Sequence, residues 1–310
     1  MVERSPHIPI LLKDTICQLL TNPNGIYLDC TVGYGGHAVK IAEQLTSSGQ
    51  LIGMDLDPYA LSYTEKRLAA TQASYSLHHK NYREYPKLLQ KLGIKKLTGM
   101  LFDLGSSSSQ IDSGHRGFSF RYDAPLDMRF NPDKGISAIE YLNNSNVDEI
   151  SSTIYKYSEE RYHKKIAYSI YKSIQKNEMN TTFDLKRSIE KSVNPRFLTK
   201  SLSRVFQAIR IKVNDELDSI QQALKSSIKW LDVGGRIAII SFHSLEDRIV
   251  KKFFFNNSIS CICPREYPKC ICNTIPTLKT LNRKPIYPDQ EEINNNTRSR
   301  SAKLRVAERI

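Results

Sequence analysis

The chain has 310 residues, room for two domains or for one domain carrying an insertion. Hydrophobic residues make up 40% and charged residues 25%, with 14 glycines and 13 prolines, which excludes collagen, low-complexity disorder and a disulfide-stapled mini-protein. The formal net charge of +13 favours polyanionic partners.

No apolar run approaches the roughly 18–20 residues that span a bilayer. Residues 1–7 carry no apolar stretch of the signal-peptide kind and are too short for a transit peptide. The expectation is a soluble cytoplasmic protein that does not engage membranes.

The first hundred residues alternate strand-like and helix-like segments. Residues 26–30 (IYLDC), 50–54 (QLIGM) and 99–102 (GMLF) read as short buried strands, and 37–45, 58–69 and 82–92 as helices. Pro58 suits the first turn of its helix, where a missing N–H costs nothing. This alternation predicts an α/β fold with a parallel sheet covered on both faces.

The first strand runs into DCTVGYGGH, residues 29–37. Glycines there let the backbone turn sharply and approach a ligand closely. The helix that follows offers unpaired N–H groups and a partial positive charge. Asp55 ends the second strand, 22 residues after Gly33, where it suits ribose hydroxyls. Two nucleoside cofactors compete for such a loop. Gly33, Gly35 and Ala38 match the G-x-G-x-x-G/A pattern of dinucleotide binding. Asp29 favours S-adenosylmethionine instead, since a carboxylate before the loop suits an ammonium and opposes a pyrophosphate.

Asp103-Leu104-Gly105 followed by four serines and Gln110 comes after the GMLF strand. Ligands of open α/β sheets sit at the carboxyl ends of the strands, so Asp103 belongs near any bound cofactor. Residues 105–134 are loop-like, and Phe118 and Phe120 within them suit either core packing or base stacking. Residues 137–231 show helical periodicity, with Ile166, Ile170 and Ile174 on one stripe. Residues 151–212 hold 14 Lys/Arg against 5 Asp/Glu, so +9 of the net charge sits there. A patch that concentrated suits a nucleic-acid face.

Strand character resumes at 236–241 (RIAIIS), followed by a helix over 245–254. Ser244 and Asp247 have capping-box spacing, and His243 beside them suits either a structural turn or contact with RNA. Cys261, Cys263, Cys270 and Cys272 form a C-x-C…C-x-C pattern. Four close thiols suit zinc, but the usual spacing is C-x₂₋₄-C, so no metal is assigned and reduced thiols stay an alternative. The last thirteen residues contain Arg298, Arg300, Lys303, Arg305 and Arg309, and read as either a solvated tail or a strand touching RNA.

Nine stretches together resemble a known family: HIPILL (7–12), DCTVGYGGH (29–37), GMDLDPYAL (53–61), FDLGSSSSQ (102–110), RGFSF (116–120), PLDMRF (125–130), VFQAIRIKVNDEL (205–217), ISFHSLEDRIVK (240–251) and RSRSAKLRVAE (298–308). They occur in the order found in the RsmH (MraW) family of bacterial small-subunit rRNA cytosine-N4 methyltransferases. The resemblance implies a class I (Rossmann-like) S-adenosylmethionine-dependent methyltransferase sheet with an inserted all-helical domain. The expected boundaries are 1–133 and 214–310 for the core, ending in a basic tail, and 134–213 for the insertion.

By the same resemblance Gly35, Gly36 and His37 form the cofactor loop, Asp55 binds ribose, Tyr82 lies near adenine, and Asp103 and Gln110 complete the cofactor contacts. Asp103 is also the candidate catalytic acceptor for the target amine. The substrate implied is a cytidine in the decoding region of 16S rRNA within the small subunit, and a homodimer is compatible with the chain. Ser109 stands where the family usually has proline, and Phe130 where it has methionine. Two other readings are an NAD-dependent oxidoreductase and a non-catalytic ribosome-assembly factor; the intact cofactor motifs speak against both.

Overall fold

The computed structural model describes residues 8–105, 114–264 and 270–310. Its contacts divide the chain into two units, residues 1–105 with 217–310, and residues 106–216. The first boundary expected from sequence was later, after 133; contacts assign the intervening residues to the helical unit.

The first unit is built on a seven-stranded sheet in the order β3-β2-β1-β4-β5-β7-β6. The strands are β1 (Ile26–Asp29), β2 (Gln50–Asp55), β3 (Ser74–His79), β4 (Leu97–Asp103), β5 (Leu231–Ser241), β6 (Leu278–Thr280) and β7 (Lys303–Arg309). Strands β1 to β5 pair in parallel, and β7 pairs antiparallel with both β5 and β6. This is the class I methyltransferase sheet that the motifs implied.

Successive strand residues face opposite sides, and the two sides fill two cores. Leu28, Ile52, Met100, Phe102 and Ile239 pack on one face against Leu88 and Leu89 of α4 (Tyr85–Lys91), Ile220 and Leu224 of α10 (Glu216–Trp230) and Val250 of α11 (Ser244–Ser258). Tyr27, Leu51, Leu101 and Ile240 pack on the other against Ile16 and Leu19 of α1 (Leu12–Leu19), Ile41 of α2 (Gly36–Gln44) and Leu68 of α3 (Pro58–Leu68). Burial on both sides explains why β1, β2 and β4 read as continuous apolar runs.

Of the basic C-terminal residues, Lys303, Arg305 and Arg309 belong to the sheet, while Arg298 and Arg300 lie in the 3₁₀ turn before it. Leu304 and Val306 are fully buried in β7, while Lys303 and Arg305 reach Asp247 at 3.2 and 2.7 Å. These two cations are matched by the Asp247 carboxylate, which speaks against the RNA-touching reading of the tail for them.

The second unit contains α5 (Ala138–Asn143), α6 (Val147–Ser158), α7 (His163–Gln175), α8 (Thr182–Glu190) and α9 (Leu198–Asn214) around its own core. Ile166 and Ile170 are buried there, as their spacing predicts, and Ile174 packs partly buried beside them. Phe118 stacks on Phe130 at 5.6 Å and Phe120 meets Phe206 edge-on, so both phenylalanines are packing residues. Among the described residues no helix is long and apolar enough to cross a membrane.

Candidate functional site

The carboxyl ends of β1, β2 and β4 bring together Asp29, Asp55 and Asp103. Each is the last residue of its strand, where the backbone leaves the sheet and ligands of open α/β folds sit. Asp29 lies on the central of the three strands, with Gly53 and Leu101 as its neighbours in register.

The glycine loop joins β1 to α2. Gly35 caps that helix in a left-handed conformation, φ 77°, which favours glycine. A Cβ there would stand 2.8 Å from the Thr64 side chain. The loop is held from three directions. Gly33 N–H donates to Asp55 Oδ2 at 2.7 Å, Thr64 Oγ1 donates to the Gly33 carbonyl at 2.9 Å, and Arg67 donates to the Tyr34 carbonyl at 2.6 Å. Asp57 caps α3 by accepting from Tyr59 N–H, with Pro58 in the first turn as expected. Gly35→Ala is therefore expected to destabilise the protein by about 1–2 kcal/mol through its left-handed backbone alone, and to weaken nucleoside binding further as the loop shifts. Thermal melts and cofactor titration check this; a variant with unchanged affinity would separate the loop from binding.

Asp29 is 1% exposed. Its Oδ1 accepts from Thr31 N–H at 3.0 Å, while Oδ2 is buried without a hydrogen-bond partner. Burial pushes its carboxyl up to about 7, and the nearby Asp55 charge adds to the rise. Asp55 has both oxygens engaged, by Gly33 and Asp57 N–H; desolvation nevertheless pushes it to about 6. Burial also holds Asp103 well above the usual carboxylate range, reinforced by Asp29 and Glu246. Thr31 Oγ1 accepts from Asp103 N–H at 2.6 Å, tying the β1 and β4 termini together.

Asp103 Oδ2 stands 3.5 Å from His37 Nδ1, whose other ring nitrogen lies 3.1 Å from the Ile10 carbonyl. A carbonyl only accepts, so Nε2 carries the proton and Nδ1 faces the carboxyl. Asp103 Oδ1 is buried without a hydrogen-bond partner. Unsatisfied buried oxygens are costly, about 1–3 kcal/mol each, and call for a functional explanation.

Tyr82 sits in the 3₁₀ turn after β3, half-buried and edge-on to Phe102 at 5.8 Å. Thus Gly35, Gly36, His37 and Asp103 adjoin one another, Asp55 holds the loop, and Tyr82 packs on the β4 residue before Asp103. Gln110 lies outside the described residues. Sequence reasoning did not single out Thr31, Thr64 or Arg67 as loop supports. Thr64 and Arg67 share a face of α3 at i, i+3, a signal that was available; Thr31 offered none.

His243 has a capping role in the structure. It is the N-cap of α11, one position before the expected Ser244, and Glu246 rather than Asp247 completes the capping box. Fully buried Glu246 accepts from Phe242 and His243 N–H at 2.8 and 3.3 Å.

Taken as chemistry, the site is a cluster of three desolvated carboxyl groups in a basic protein. Three desolvated carboxyl groups oppose the pyrophosphate of a dinucleotide. They suit a ligand that brings cationic groups and ribose hydroxyls.

Comparison with known proteins identifies a family. A family model described as the MraW methylase family matches residues 4–310. Relatives named ribosomal RNA small subunit methyltransferase H include one from Caldicellulosiruptor saccharolyticus, 45% identical, covering 98% of this chain and 99% of the relative. Those from Dehalococcoides mccartyi and Fusobacterium nucleatum are 43% and 40% identical, each over 98% of this chain and over 87% and 97% of the relative. The chain belongs to the MraW methylase family and is a methyltransferase.

Proposed function

We propose that this methyltransferase moves a methyl group from S-adenosyl-L-methionine to the exocyclic N4 of a cytidine in the decoding region of 16S rRNA, within the small ribosomal subunit. The observation that carries the reading is the pair of buried, unpartnered oxygens, Asp29 Oδ2 and Asp103 Oδ1, beside a left-handed glycine turn. The family is S-adenosylmethionine-dependent, and the relatives are named for small-subunit rRNA.

The residues fit that cofactor. Asp29 Oδ2 is an unused acceptor for an ammonium, Asp55 is placed for ribose hydroxyls, and Tyr82 offers an aromatic face near β3. When bound, S-adenosylmethionine supplies an electrophilic methyl group on a sulfonium. The chain's own task is to prepare the amine. The lone pair of a cytosine amine is delocalised into its ring, so positioning supplies much of the acceleration. Asp103 Oδ1 accepts an amino N–H, turns the nitrogen lone pair toward the methyl group and takes the proton released. With Nδ1 protonated as well, His37 donates to the other oxygen of that carboxyl and holds it in place. A cation nearby favours the carboxylate form that this role needs.

The helical unit supports the RNA assignment by its surface. Arg161, Lys164, Lys165, Tyr155 and Tyr168 are all exposed on or beside α6 and α7. Cations there suit phosphates and tyrosines suit unpaired bases. Elsewhere in the unit Arg187, Arg204 and Arg210 are paired with Asp184, Glu160 and Glu216. Replacing Arg161, Lys164 and Lys165 together by glutamine is expected to lower the salt-dependence slope of subunit binding by about 2–3, at roughly 0.7–0.9 per phosphate contact. An unchanged slope would move the RNA face elsewhere.

The reading is tested by supplying labelled S-adenosylmethionine and unmethylated small subunits, then digesting the rRNA into fragments. Label confined to one decoding-region fragment is the expected outcome. Label in another region would overturn the substrate assignment while leaving the enzyme class intact.

A further inference from the structure

Between α11 and β6 lie four of the six cysteines, and methyl transfer uses none of them. The Sγ atoms of Cys261, Cys263, Cys270 and Cys272 all lie within 4.8 Å of one another. Cys270 and Cys272 are 3.5 Å apart at sulfur, and Cys272 and Cys261 are 3.9 Å apart. Four sulfurs around a zinc ion at about 2.3 Å define a tetrahedron with edges of roughly 3.8 Å. The two distances bracket that value.

The backbone around the sulfurs is arranged reciprocally. Ile262 N–H, from the first C-x-C arm, donates to Cys272 Sγ of the second at 3.3 Å. Ile271 N–H, from the second arm, donates to Cys263 Sγ of the first at 3.4 Å. Cys263 N–H points at Cys261 Sγ, and the Thr274 hydroxyl donates to Cys272 Sγ at 3.2 Å. Donors aimed at sulfur stabilise thiolates and orient them, as groups surrounding metal ligands do. The short C-x-C spacing counted against a metal only while each arm was considered alone. Two arms facing each other supply four donors without a longer spacer.

The segment has little core of its own. Ile262, Ile271 and Ile275 are 65, 70 and 82% exposed, so apolar burial does not hold it. Small elements of this kind are ordered by staples, either metals or disulfides.

We propose that Cys261, Cys263, Cys270 and Cys272 form a structural tetrathiolate zinc site. Binding converts four thiols and one Zn²⁺ into a zinc tetrathiolate of net charge −2, with release of four protons. Four protein ligands close the coordination shell, leaving no position for water or substrate, so the site is structural. It ties the end of α11 to the approach of β6, where Thr277 N–H donates to the Asn257 carbonyl at 2.8 Å.

The test uses the full chain, expressed in zinc-replete medium and purified under reducing conditions without chelator. Elemental analysis is expected to find one zinc per chain. Replacing that zinc by Co²⁺ is expected to produce sulfur-to-cobalt charge transfer and the intense d–d bands of tetrahedral cobalt. Cys263→Ser with Cys272→Ser should abolish both signals while circular dichroism shows the sheet and helices intact. Cys17→Ser, outside the cluster, should change neither. Absence of zinc with no tight uptake of added Zn²⁺ would overturn the proposal. So would iron at one per chain, zinc retained by the double variant, or a mass showing the four cysteines oxidised to disulfides in the freshly isolated protein.

Discussion

Replacing Asp103 by alanine or asparagine is expected to slow methyl transfer by on the order of 10²–10⁴-fold, the usual contribution of a positioned proton acceptor. The expectation rests on geometry. Asp103 Oδ1 is buried with no hydrogen-bond partner, and Oδ2 is held beside His37 Nδ1. Neither variant should unfold the protein, because each removes a desolvated carboxyl group whose burial is itself unfavourable. The pH profile separates chemistry from packing. Burial raises this carboxyl group, so the single-turnover rate of the wild type should climb with pH as the carboxylate forms. In Asp103→Asn that limb should be flat. A variant with a near-wild-type kcat would eliminate Asp103 as the acceptor. Normal kcat with a raised KM for S-adenosylmethionine would assign it to binding alone.

Asp29→Asn is expected to stabilise the cofactor-free protein and to impair it as an enzyme. The ordinary carboxyl value is 3.8, and burial pushes Asp29 to about 7. A raised acid binds protons more tightly folded than unfolded. Its favourable contribution is complete below 3.8 and is lost as pH rises through about 7. The accumulated loss is on the order of 4 kcal/mol. Asparagine keeps the acceptor for Thr31 N–H and escapes this loss. The difference in melting temperature between variant and wild type should therefore open between the two values and level off above them. Affinity for S-adenosylmethionine should move oppositely, because the unused Oδ2 that meets the ammonium is gone. A melting difference independent of pH would show that Asp29 does not titrate as its burial requires. Unchanged affinity would remove it from the cofactor site.

Much of this site was legible because each key acid ends a strand. β1, β2 and β4 are buried on both faces, so their apolar runs stand out and mark Asp29, Asp55 and Asp103 at their ends. β3 hid because it is an edge strand of sequence SYSLHH with only partial burial, and that composition imitates a loop. β7 was one of two readings of the tail, and its place in the sheet was hidden for a different reason. Its alternation of Ala302, Leu304 and Val306 was visible, but its partner β5 lies far away in sequence, and nothing local shows that Asp247 neutralises Lys303 and Arg305.

The capping register at α11 slipped by one because HSLE and SLED both have the right spacing. The fold selects the first, since Glu246 satisfies the N–H groups of both Phe242 and His243. The supports of the glycine loop were harder still. Thr31 and Arg67 act through single hydrogen bonds whose partners only the folded sheet brings near. The meeting of the four cysteine sulfurs is a fact of the same kind.

The central claim concerns one atom, the exocyclic nitrogen of cytosine. The most direct measurement is nucleoside mass spectrometry of small-subunit rRNA after incubation with the purified protein and isotopically labelled S-adenosylmethionine. The account predicts labelled N4-methylcytidine at a single site. Label in 5-methylcytidine, in a 2′-O-methyl nucleoside or in another base would contradict it, because the unpartnered oxygen of Asp103 would then have no amine to receive.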